Sequence, residues 1–149
     1  MAVLKERQSW MATLAKAEPK LLQELMVKLG EIPAYSCLRS PEIGLAMVRG
    51  RAGGTGEQFN LGEITITRCV VQLPEEGISG FGYVGGRSLH HAELAAVCDA
   101  LLQHPDWYDQ IHQGVIQPLR ERSQQQEEKT QQQTAATKVN FFTLLRGEG

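Results

Sequence analysis

From Arg120 to Thr134 the chain runs fifteen residues without one large apolar side chain, six of them Gln. After Ala135 and Ala136 comes a different composition, Val139-Asn140-Phe141-Phe142-Thr143-Leu144-Leu145-Arg146-Gly147. Burying one Phe or Leu side chain gains about 1.5–3 kcal/mol, so two Phe, two Leu and a Val on a solvated tail would forgo a large gain. A polar spacer followed by an apolar plug requires a groove to receive it, on the body of the same chain or on a partner. The pattern divides the chain into a single α+β domain over residues 1–119, a polar spacer over 120–138, helical or flexible, and a partner-docking segment over 139–149.

The body opens with a helical pair. Leu4, Arg7, Met11, Leu14 and Ala15 follow the three-and-four spacing of one helical face, with Trp10 beside them. Glu18-Pro19 restarts the chain, and Leu21, Leu22, Leu25, Met26 and Leu29 make a second amphipathic helix that Gly30 stops. The middle changes period. Ile43–Arg51, Gln58–Leu73 and Ile78–Val84 have strand character, clearest in the β-branched alternation of Ile64 to Val71. Pro74-Glu75-Glu76-Gly77 is turn chemistry. Short links dictate antiparallel pairing, since a parallel crossover needs a dozen or more residues. With Tyr35–Arg39 as a further edge strand, the expectation is a three- to four-stranded antiparallel meander.

Ser88 can cap the helix that follows the sheet. That helix, residues 88–103, is apolar nearly all round, so it must be buried on most sides. Its own sheet covers one face; the remainder must meet other helices or another subunit. Leu94, Val97 and Leu101 are the residues expected at such an interface, together with Val139, Phe141, Phe142, Leu144, Leu145 and Arg146 of the tail. A last helix opens at Pro105, where Tyr108, Ile111, Val115 and Leu119 form a stripe. Pro118 should kink or break it, at a cost on the order of 3 kcal/mol.

The net charge of −2 provides no field to attract nucleic acid or an anionic membrane. No apolar signal core follows the first residues, and no run approaches the length of a membrane span. Cys37, Cys69 and Cys98 are an odd, unpatterned set, which fits reduced thiols in a cytoplasmic protein, buried as small hydrophobes.

Two blocks could carry chemistry. Arg51-Ala52-Gly53-Gly54-Thr55-Gly56-Glu57 packs three Gly into four residues, a composition that permits positive φ and can turn backbone N–H groups toward phosphate. Arg49, Arg51 and Arg68 are its candidate cationic partners on the flanking strands, and with Arg87 from the block below the candidate anion site is Arg51, Gly53, Gly54, Thr55, Gly56, Arg68 and Arg87. The block is neither a Walker loop nor a dinucleotide fingerprint, and a tight, wide β-turn with Gly where side chains do not fit is the more ordinary account of it. The second block, Gly85-Gly86-Arg87-Ser88-Leu89-His90-His91-Ala92-Glu93, ends a strand and starts a helix, whose N-terminus favours anions. His90 with Glu93, or His91 with Cys98, is only a pair of possible ligands, so no metal site is expected. The ordinary reading is a solvated His90, a packed His91 and a Glu93 that stabilises the first helical turn. No nucleophile elbow, HExxH or CxxC is present, and no catalytic residue is expected.

These blocks, in this order, resemble the PhnG family of the carbon–phosphorus lyase core complex. The matching stretches are Arg7-Gln8-Ser9-Trp10-Met11, Gly53 to Phe59, Thr65-Ile66-Thr67-Arg68, Gly86-Arg87 ahead of His91-Ala92-Glu93, Asp99-Ala100-Leu101-Leu102-Gln103, and Phe141-Phe142-Thr143 with Arg146-Gly147. Gln58 departs from the basic residue expected there. The resemblance implies a non-catalytic or accessory subunit of a transferase complex for phosphonate catabolism. In that system PhnG acts together with subunits H, I and L to form a ribose 1-phosphonate 5-triphosphate from MgATP and an alkylphosphonate. It further implies subunit I as the chief partner, with H, J and L. No cofactor is implied for this subunit, and the iron–sulfur cluster and S-adenosylmethionine belong to subunit J. Two other readings stand beside it: a phosphate- or triphosphate-binding subunit, and a free-standing adaptor that offers its Phe-Phe tail to a groove.

Overall fold

The computed structural model describes the backbone of residues 2–51 and 58–148 and the side chains of residues 5–47 and 62–132. Helix α1, Ala2–Lys16, and helix α2, Pro19–Leu29, form the N-terminal pair. Proline is the first residue of α2, and Gly30 closes it at φ 82° with its N–H on the Val27 carbonyl, 3.1 Å away. Trp10 and Leu14 of α1 and Leu22, Leu25 and Met26 of α2 are buried, so each helix turns one face inward.

Three strands follow in an antiparallel sheet of order β1-β2-β3: β1 Ser36–Arg51, β2 Gln58–Leu73 and β3 Ile78–Gly85. The 35–39 run is not a fourth strand. It is the first part of β1, which passes through Pro41 and resumes after register shifts between Cys37 and Arg39 and between Arg39 and Glu42. Proline is tolerated there because β1 is an edge strand, with no ladder partner on its outer side among the described residues. The β2–β3 turn closes at Gly77, φ 68°, whose N–H reaches the Leu73 carbonyl.

Helix α3, Leu89–Leu102, lies on one face of the sheet. The Ser88 hydroxyl accepts from the His91 N–H at 3.2 Å, the expected cap. The closeness of α3 to β3 is set by two glycines: a Cβ on Gly80 would lie 2.1 Å from the Ala96 carbonyl oxygen, and one on Gly82 would lie 2.1 Å from that of Ala92. Thr67, Cys69, Val71 and Leu73 of β2 alternate inward beneath it. The other sides of α3 meet α1, α2 and the start of the C-terminal helical segment. This corrects the expectation of an interface on α3. Val97 and Leu101 are 1% and 0% exposed, enclosed by their own chain, and Leu94 packs half-buried against the same core.

The C-terminal segment is helix α4, Tyr108–Ile111, a π-helical turn over His112–Ile116, and helix α5, Gln117–Glu148. Of the two outcomes expected at Pro118, a kink or a break, the break does not occur. The Gln117 N–H bonds to the carbonyl of His112, five residues back, so the turn widens just ahead of the proline ring that would otherwise clash with the preceding turn. α5 then runs through the whole Gln-rich stretch, which is helical, and on through the backbone of the tail.

Candidate functional site

The first and fifth of the stretches that set the resemblance meet in one buried cluster. Asp99, on the α3 face toward α1, is completely buried. Arg7 donates to both its oxygens, at 3.2 Å from Nε and 2.9 Å from Nη2. Trp10 Nε1 donates at 2.8 Å and the Phe81 backbone N–H at 2.9 Å. Gln103 Nε2 donates to the Ser79 carbonyl at 2.8 Å and the Asp99 carbonyl at 3.2 Å. The bond to Asp99, with its charge, raises the Arg7 pKa against the opposing effect of burial. Arg7 also lies 5.6 Å from the centre of the Phe81 ring. A carboxylate sealed from solvent with every lone-pair direction engaged is a joint between α1, α3 and the edge of β3, with no free capacity for substrate.

The described backbone does not bring Arg51 and Arg87 together. Arg51 pairs with Gln58 at the far end of the β1–β2 ladder, whereas β3 ends at Gly85, paired with Ile66. Gly44 is the β1 partner of Ile66. Seven residues separate Gly44 from Arg51, on the order of 20 Å of strand. Gly53, Gly54, Thr55 and Gly56 lie outside the described residues, as does the Arg51 side chain. Arg68 is engaged elsewhere, its Nε donating to Glu42 at 2.9 Å across the strands. Arg87 is exposed beyond the end of β3 and forms no ion pair among the described residues.

The histidines and thiols follow their ordinary readings. His91 is buried, its Nε2 2.8 Å from the Leu14 carbonyl, and burial lowers its pKa despite that bond. His90 is exposed. Cys69 and Cys98 are buried, and burial pushes both thiols up to about 12. Cys37, exposed on β1, departs from the expectation of burial; its thiol is 3.7 Å from Glu93, and it too is raised. None of the three is poised as a thiolate nucleophile. Among the described residues no three His, Cys, Asp or Glu side chains gather as metal ligands. Among those residues, too, no helix is long and apolar enough to cross a membrane.

The surface is more informative. A groove of about 500 Å³ runs between α1 and the first turns of α5, lined by Ser9, Thr13, Lys16, Leu21 and Leu119. Its arginines have partners: Arg120 donates to the Ser9 hydroxyl at 2.9 Å, and Arg122 is 3.8 Å from Glu18. Beyond Ile66, β1 and β2 leave β3 behind and continue as a two-stranded ribbon. Ile43, Leu45 and Met47 at its base and along one face, and Ile64 on the other, are exposed. Sequence reasoning recognised these strands but missed this surface, because alternation alone does not tell which strand outruns its neighbour. The tail candidates Val139, Phe141, Phe142, Leu144, Leu145 and Arg146 lie on α5, with side chains outside those described.

A family model described as phosphonate metabolism protein PhnG matches residues 5–147. A curated protein of Rhizobium meliloti (strain 1021), alpha-D-ribose 1-methylphosphonate 5-triphosphate synthase subunit PhnG, is 37% identical over 147 residues, covering 96% of this chain and 90% of that protein.

Proposed function

The chain belongs to the PhnG family, and on that premise we propose that it is an accessory subunit of a ribose 1-methylphosphonate 5-triphosphate synthase. In this reading it acts with subunits H, I and L, which together displace adenine from MgATP with an alkylphosphonate. MgATP is a substrate of the assembly; this subunit holds no cofactor of its own, and the iron–sulfur cluster and S-adenosylmethionine belong to subunit J. Subunit I is its chief neighbour.

The observation that carries this reading is the contrast between interior and surface. Asp99, the buried ionisable group best placed for chemistry, is sealed and fully bonded. Large aliphatic side chains stand in solvent on the ribbon. A chain built this way contributes through contact with other proteins. The α5 tail, residues 139–149, is a second docking element in the same reading.

The test is reconstitution. Subunits H, I and L, incubated with MgATP and methylphosphonate, should release adenine only when this chain is added. Full turnover without it would remove the function.

A second reading has one observation in its favour. The ribbon ends in the Arg51–Gln58 pair, beyond the end of β3, and in this reading that end meets a neighbouring subunit's triphosphate site. Arg51→Ala and Arg87→Ala in a complex that assembles normally would then raise KM for MgATP, whereas unchanged kinetics would leave no anion role for these side chains.

A further inference from the structure

We propose that the ribbon of residues 45–51 and 58–65, with Ile43 at its base, inserts, with both faces covered, into an apolar cleft of a different subunit of the synthase. This rests on the accessory-subunit reading and adds the element that makes the contact and the shape of its receptor. Four side chains define it: Leu45 is 69% exposed, Met47 53%, Ile64 48% and Ile43 46%. The pleat sorts them. Ile43, Leu45 and Met47 are two apart and share one face, opposite Thr67, Thr65 and Glu63. Ile64 pairs with Ala46 and therefore points to the other face.

The identity of the occupant follows from that sorting. A second copy of this chain, stacked ribbon on ribbon about a two-fold axis, covers one face of each ribbon and leaves the other in water. Only a cleft with two walls shelters Leu45 and Ile64 together. The ribbon has two Arg and one Glu among these strand residues, too little charge for a polyanion or an anionic membrane to be the favoured ligand. Its outer edges also carry backbone N–H and C=O groups without a ladder partner among the described residues. A strand of the cleft wall can pair with them. An isolated two-stranded hairpin is marginal in water, and enclosure supplies the packing its own chain does not.

The experiment coexpresses the full chain with subunits H, I and L and compares wild type with Leu45→Glu, Ile64→Glu and, as a control on an exposed apolar residue of α2, Val27→Glu. The ribbon variants should each weaken assembly by about tenfold or more, with Val27→Glu unchanged, and amides of residues 43–47 and 62–65 should gain hydrogen-exchange protection in the wild-type complex. The exchange measurement needs no substitution and holds even if a variant fails to fold. Wild-type assembly with both variants unimpaired, or without added protection, overturns the ribbon contact alone. Loss confined to Leu45→Glu, accompanied by conversion of the isolated chain from dimer to monomer, overturns it in favour of a second copy. A wild-type chain that does not assemble at all overturns the subunit reading, and the ribbon contact with it.

Discussion

Asp99 is where α1, α3 and the edge of β3 are fastened, and its neighbours show what a single substitution there costs. Asn has the same shape but replaces one acceptor oxygen with a donor, which would face the N–H groups of Arg7, Trp10 or Phe81. Asp99→Asn should lower stability by about 3 kcal/mol or more, read from the urea midpoint; a midpoint near wild type would deny the cluster its structural role. Gly82→Ala should be comparably harmful, because its Cβ would meet backbone atoms of α3 at 2.1 and 2.9 Å. Gly44→Ala, with nothing within 4 Å, should be nearly neutral. Equal unfolding midpoints for the two glycine variants would contradict the close approach of β3 to α3.

His91 gives a pH signature. Its folded pKa lies below its ordinary value of 6.5 because burial disfavours the charged ring. Its contribution to stability is therefore complete above that value and is lost as pH falls through the folded pKa. The melting temperature of the wild type should fall between pH 7 and pH 5 more steeply than that of His91→Gln, and parallel curves would sink the assignment. At this scale the sequence was partly legible. The Ser88 cap and the packed His91 are local signals. The Asp99 cluster joins residues 92 and 89 positions apart, and no local pattern announces that; Gly80 and Gly82, two apart on one strand face, were a signal of close approach that sequence reasoning missed.

The strands of the sheet were legible because their β-branched alternation is strong, and the turn at residues 74–77 because its residues leave few alternatives. Pro41 concealed that the 35–39 run and the rest of β1 are one strand, since proline usually ends a ladder and only register shifts on an edge accommodate it here. Pro118 disturbs its helix without ending it: the π turn ahead of it accommodates the ring, and the helix continues. The apolar character of α3 was read correctly as burial, but its cover proved to be the chain's own helices. The docking role assigned to the α5 tail has its own test. A chain ending at Ala135 should keep the melting temperature of the body within about 2 °C, because among the described residues the buried core lies within residues 10–119. In the proposed reading it should also bind subunit I less tightly. Undiminished binding would remove the tail from the interface and leave the ribbon as the contact.

Taken whole, the molecule is a small α+β body that seals its own ionisable centre and extends an apolar ribbon and a long helix. The family comparison gives kinship to a subunit of a synthase, and in the proposed reading this shape serves by binding. The decisive quantity is the native mass of the chain, purified alone and after coexpression with subunits H, I and L, by size exclusion with light scattering. Coexpression should carry the 16.5 kDa chain into a stable particle with those subunits, and adenine release from MgATP and methylphosphonate should follow that particle. A chain that elutes at its own mass beside an active assembly lacking it would rule out the accessory-subunit role.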